Sequence, residues 1–110
     1  MTETDLRKPF IAALRACGAK VVPYVGSKMG QQGTADVFVA HTSWHGWIEF
    51  KGPTTKIQPL QQLFIDDMNK RGVNAVVVRL FDKQKFQINS STIRAWKTGS
   101  DIIGDLTCVI

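Results

Sequence analysis

Two cysteines, two histidines and the absence of any long apolar run set the first limits on this 110-residue chain. Neither Cys17 nor Cys108 belongs to a C-x-x-C pair or lies near a histidine at zinc-ligand spacing, which leaves no structural zinc site in view. Cys17 ends an apolar helical stripe and reads as core. No apolar stretch approaches the roughly 20 residues that cross a bilayer, and Met1-Thr2-Glu3-Thr4-Asp5 lacks the basic-then-apolar order of a secretion signal. A cytoplasmic protein is therefore expected, which includes a phage-encoded protein acting in its host's cytoplasm. Internal repeats, low-complexity tracts and linkers are also missing. Residues 1–110 have room for one domain around one hydrophobic core.

What is present is ordinary globular material, with 44% hydrophobic and 21% charged residues. Fourteen Lys and Arg against nine Asp and Glu give a net charge of +5 and a pI near 9.5. Such a balance lowers the electrostatic penalty of approaching a polyanion, although modest positive charge alone is common among proteins that bind none.

From Thr4 to Cys17, Leu6, Phe10, Leu14 and Cys17 recur at helical spacing, with Thr2 able to cap the start and Gly18 able to end it. Pro9 points to a late start or a kink. Lys20 to Val25 is short, β-branched and interrupted by Pro23, as in an edge strand, and Gly26 to Gly33 is a glycine-rich loop. Asp36 to Ala40 and Trp44 to Lys51 are two strands of a hairpin. Pro59 opens a helix whose apolar face is Leu60, Leu63, Phe64 and Met68, closed by Arg71-Gly72. Asn74 to Leu80 is a β-branched run suited to a strand buried on both faces and pairing beside the hairpin. Lys83 to Ile88 is a last strand, Ser90-Ser91 caps a short helix through Ile93, Trp96 and Lys97, and the tail from Gly99 carries no assignment. This order predicts an α/β sandwich with a mixed central β-sheet.

Charge inside an apolar strand carries the chemistry. Glu49 and Lys51 are two apart in Trp47-Ile48-Glu49-Phe50-Lys51, so both side chains leave the same sheet face. A hairpin turning near Ser43 and Trp44 places Asp36 across from Lys51 and diagonal to Glu49, with Cβ separations of about 5 to 8 Å. Two hard carboxylates suit Mg²⁺ or Mn²⁺, and an ammonium beside them can orient water or stabilise developing phosphate charge, which is the equipment of phosphodiester hydrolysis. An E-x-K pattern alone arises by chance in roughly a third of chains this long, and its ordinary meaning is a solvated strand face. The apolar context of Glu49 and Lys51 argues otherwise.

The ordered series Gly33-Thr34-Ala35-Asp36, then Ile48-Glu49-Phe50-Lys51-Gly52, then Gln61 followed by Gly72, resembles the VRR-NUC family of the PD-(D/E)XK nuclease superfamily. The resemblance spans Glu3 to Arg79. It implies a restriction-endonuclease-like fold, with Asp36 and Glu49 as metal ligands, the Phe50 carbonyl as a further ligand, and Lys51 as the motif lysine. Gln61 matches the family glutamine near the active site, and Glu3 matches an acidic residue often carried on the first helix. The everyday alternative for Glu3 is an N-terminal acid favourable to the helix dipole. Two positions depart from the family pattern: Ala35 stands where a proline is usual, and Gln58 where a capping serine is common. Neither is a ligand.

Other features are weaker. His41 and His45 flank the hairpin turn with no third metal ligand in sight. The loop from Gly26 to Gly33 lacks the G-K-[ST] ending of a nucleotide-binding loop, so Lys28, together with Lys56, is expected to touch DNA phosphates instead. Trp44, Trp47 and Trp96, like Ile57 and Leu60, read as packing residues. An edge strand and exposed aromatic area lead to an expected homodimer, in keeping with dimeric junction-resolving enzymes. The resulting expectation is a Mg²⁺ or Mn²⁺-dependent endodeoxyribonuclease, selective for branched DNA such as Holliday junctions by analogy. Two alternatives stay open: a restriction or homing-type endonuclease, and a DNA-binding module of the same fold without catalysis.

Overall fold

The computed structural model describes residues 2–24 and 35–109. The first helix, α1 (Glu3–Ala16), starts from a capping box: Thr2 Oγ1 accepts from the Asp5 amide at 3.2 Å, and Asp5 Oδ2 accepts from the Thr2 amide at 3.2 Å. That cap sets the start ahead of Pro9, so the late start expected from the proline does not occur. The helix runs through Pro9 and buries Leu6, Phe10 and Leu14, the stripe their spacing predicts. Gly18, at φ +94°, lets the chain leave the helix.

The sheet then assembles in sequence order as β1 (Lys20–Pro23), β2 (Val37–Ala40), β3 (His45–Lys51), β4 (Ala75–Phe81), β5 (Lys85–Ile88) and β6 (Arg94–Ala95). Only β3 and β4 run parallel, joined through α2 (Pro59–Lys70); the other neighbouring pairs are antiparallel. The mixed sheet flanked by helices is the fold class the sequence predicts.

Several expectations need correction. The β2–β3 hairpin turns at Thr42–Ser43, because His41 and Trp44 exchange backbone hydrogen bonds and the Ser43 amide donates to His41 Nδ1 at 3.0 Å. The register becomes Val37↔Ile48, which sets Asp36 level with Glu49 rather than with Lys51. With Nδ1 accepting, His41 presents its Nε2 hydrogen to the Cys17 carbonyl at 3.2 Å; this histidine ties the turn to the end of α1.

The inward stripe of α2 is shifted by one position from the expected one. Gln61, Phe64, Ile65 and Met68 face the sheet, whereas Leu60 and Leu63 are 50% and 63% exposed. Leu60 is thus not core, and Ile57 is only half-buried. Strand β4 buries Val76, Val78 and Leu80 on one face, while Val77 and Arg79 on the other are half-buried. On that second face the expected burial holds at Ala75, which is 1% exposed, and gives way along Val77 and Arg79, where α2 covers the sheet incompletely. The last expected strand starts at Lys85, since Lys83 and Gln84 adopt φ of 63° and 53° in a tight turn.

No helix forms from Ser90 to Lys97. Arg94–Ala95 pairs with β5 instead, and Trp96 turns into the core with its ring 5.9 Å from that of Phe10. The unassigned tail forms α3 (Gly99–Thr107), whose Asp101 Oδ2 accepts from the Lys97 and Thr98 amides and whose Ile102, Ile103 and Leu106 are buried. Helix α3 packs on α1 at close range: a Cβ at Gly99 would lie 2.0 Å from the Ala13 carbonyl oxygen. Helices α1 and α3 share one sheet face, where the hydrophobic core gathers, and α2 lies over the other. Among the described residues no helix is long and apolar enough to cross a membrane.

Candidate active site

Strand alternation sends Ile48 and Phe50 into the core and Trp47, Glu49 and Lys51 toward α2. Glu49 and Lys51 are the chain's buried charged residues among those described, at 3% and 7% exposure. Asp36, just before β2 and half-buried, approaches from the neighbouring strand. Its Oδ2 accepts a 2.8 Å hydrogen bond from the Phe50 amide. Phe50 is itself immobilised from the far side of the sheet, where its ring meets Phe10 edge-on at 5.7 Å and lies under the Arg7 guanidinium at 5.3 Å. Core packing on one face therefore holds the backbone that orients a carboxylate on the other.

Glu49 Oε2 accepts from Gln61 Nε2 at 3.0 Å and lies 3.4 Å from Lys51 Nζ. The Gln61 amide is oriented in turn, because its Oε1 accepts from the Gln58 amide at 3.0 Å, at the start of α2. Gln58 stands at the N-cap of α2 in place of a serine, and its amide is held by the Gln61 side chain three residues on. The second Glu49 oxygen, Oε1, is buried without a hydrogen-bond partner. Burial and the neighbouring Asp36 charge together push the Glu49 carboxyl up to about 7, and Lys51 only partly offsets them.

A buried acid with one orphaned oxygen beside a second carboxylate fits a bound cation, since a cation would supply the missing partner and relieve the mutual repulsion. The donors are all hard oxygens, which suits Mg²⁺ or Mn²⁺. Among the described residues, no three His, Cys, Asp or Glu side chains cluster as a metal cage, so two carboxylates and main-chain oxygen such as that of Phe50 make up the available set.

The fold thus brings Asp36, Glu49, Lys51 and Gln61 together. Glu3 stands apart from the carboxylate pair: it sits at the start of α1, with its Cβ 4.0 Å from where a Gly52 side chain would begin, at the end of the strand that carries Lys51. Lys56 is exposed on the segment after β3, and Lys28 lies outside the described residues. His41 is taken up by the turn. Two participants escaped the sequence reading. Arg7 sits over Phe50, and Arg79 reaches the segment after Lys51; the signal for Arg79 was a lone cation within the run Ala75 to Leu80.

A mixed six-stranded sheet flanked by helices, with the carboxylate-bearing strand pair on its α2 face, defines the α/β fold. The same fold is found in Hjc from Archaeoglobus fulgidus, a Holliday junction resolvase from an archaeal hyperthermophile, with a TM-score of 0.56 over 79% of this chain and 71% of that one, at 16% identity. No family model and no curated protein matches the chain. At that identity the likeness is one of fold.

Proposed function

We propose that this chain is a Mg²⁺ or Mn²⁺-dependent endonuclease that hydrolyses DNA phosphodiester bonds, with selectivity for branched DNA. The observation that carries the reading is Glu49: a carboxylate buried at 3% exposure, beside Asp36, with one oxygen unpartnered. A purely structural site has little reason to keep two acids together at such electrostatic expense.

In this reading Asp36, Glu49 and the Phe50 carbonyl hold the metal. When bound, such a cation lowers the pKa of water and offsets charge on phosphate oxygens. The chain's own residues do the rest. The Phe50 amide and the Gln61 side chain hold the two carboxylates in fixed orientations, which removes reorganisation from the reaction. Lys51 places an ammonium at their flank, where negative charge accumulates as a phosphate is attacked. Glu3, at the adjoining strand end, is an accessory acid, and Lys28 and Lys56 contact DNA phosphates, in line with the net charge of +5.

Branched DNA is proposed because the protein sharing the fold is a Holliday junction resolvase. A homodimer would set two such sites on two strands; Val22 and Tyr24, on and just beyond β1, the outermost strand among the described residues, are 45% and 40% exposed, and that edge is where copies would pair. The proposed setting is the cytoplasm.

The test is cleavage with Mn²⁺ of a synthetic four-way junction, a flap, single-stranded DNA and a linear duplex of matching sequence, with Asp36→Asn alongside. The junction should be cut best, and the variant should lose activity on the order of 10³-fold. Failure of the wild type to cut any of them, or equal cutting by the variant, would overturn the proposal.

A further inference from the structure

We infer that Arg79 is a positioning residue for the candidate site, acting as a strap on the segment that links the strand bearing Lys51 to the helix bearing Gln61. The inference rests on the nuclease reading for its functional consequence, but its structural content is separate.

Arg79 lies on β4 in parallel register with Lys51 on β3, so its side chain leaves the same sheet face one strand away. A half-buried guanidinium needs partners, and no acidic side chain of the described residues pairs with it. Its Nη1 instead donates to two backbone carbonyls, Gly52 at 2.6 Å and Thr55 at 2.6 Å. Both belong to the irregular stretch between Lys51 and Pro59. That stretch has no strand or helix of its own to satisfy its carbonyls, and a planar guanidinium is suited to bracing two of them at once.

The position of the strap explains its role. Gly52 follows Lys51 directly, and the stretch ends at Gln58, whose amide orients Gln61 against Glu49. One cation thus fixes the path between the two ends of the site. Releasing it should leave Glu49 and Lys51 on their strand while Gln61 loses its set approach. A misplacement of about 1 Å is enough to lower turnover on the order of 100-fold.

The experiment compares wild type, Arg79→Met and Arg79→Lys by backbone hydrogen exchange and by trypsin cleavage after Lys56, with kcat and KM measured on a cut DNA substrate. Arg79→Met should speed exchange and cleavage between Gly52 and Gln58 at least tenfold, leave exchange in α1 and α3 unchanged, and lower kcat with little change in KM. Arg79→Lys, which keeps a cation able to donate twice, should restore most of the protection and of kcat. If Arg79→Met does not fold, Arg79→Gln replaces it, with a neutral amide that reaches one carbonyl and gives intermediate protection. Unchanged protection of this stretch in the folded neutral variant would overturn the strap. A wild type that cuts no DNA would instead defeat the nuclease reading, with the strap still decided by exchange alone.

Discussion

The two faces of the central sheet are built from the same strands and have opposite chemistry. Toward α1 and α3 lies a closed apolar layer in which Phe10, Ile48, Phe50, Val78, Leu80, Phe86 and Ile102 are all 2% exposed or less. Toward α2 the layer is thin. Trp47 packs edge-on against Tyr24, Phe38 and Phe64, and beside this aromatic cluster sit Asp36, Glu49, Lys51, Gln61 and Arg79. Stability resides on the first face, and the second is free to hold charges that oppose folding. Phe50 joins them: its ring belongs to the core and its amide to Asp36.

Removing the centre of the core should have the largest effect. Phe10 touches Phe50, Phe86 and Trp96, and Phe10→Ala should destabilise the protein by about 3 to 5 kcal/mol in urea unfolding. Because Phe50 loses its support, affinity for the proposed metal, measured by calorimetry, should fall as well; unchanged affinity in the folded variant would show that the two faces are uncoupled.

Next in size is the charged face itself. With the Glu49 carboxyl raised from an ordinary 4.5 to about 7, its contribution to folding is fully present below pH 4.5 and is lost as pH rises through about 7, an effect of up to roughly 3 kcal/mol. Metal-free protein should therefore unfold at lower urea at pH 8 than at pH 5. Asp5 and Asp101 are shifted the opposite way by backbone hydrogen bonds, but they titrate below about 3.8 and leave this window clean. Glu49→Gln should flatten the slope and stabilise the metal-free protein at pH 8 while abolishing the proposed cleavage. A slope that survives the substitution would assign the pH dependence to another group.

The smallest effect belongs to the outer side of α2. Leu63, 63% exposed, should tolerate Leu63→Lys within about 0.5 kcal/mol. A loss above about 1 kcal/mol that depends on protein concentration would reveal that copies cover this surface.

Much of this was legible beforehand. The stripe Leu6, Phe10, Leu14 follows from helical period, and Glu49 and Lys51 share a face because strand period is two. Other features were hidden for definite reasons. The hairpin register follows from a two-residue turn closed by backbone bonds between His41 and Trp44, with the His41 ring accepting from the Ser43 amide, local choices no periodicity encodes. On α2, the inward stripe includes Gln61, a polar residue, so hydropathy alone selected Leu60 and Leu63. The last helix was missed because Ser90-Ser91 offered a false cap, while Gly99 reads as a breaker until its closeness to Ala13 is known.

By itself, the sequence determined that a glutamate and a lysine stand together in an apolar strand, since two-residue alternation is a property of the backbone. Only the tertiary structure decided that Asp36 is level with Glu49, that Glu49 keeps one buried oxygen without a partner, and that Arg79 braces the segment between Lys51 and Gln61. Those outcomes depend on register and on packing between elements distant in the chain, which are set by long-range contacts and not by local pattern.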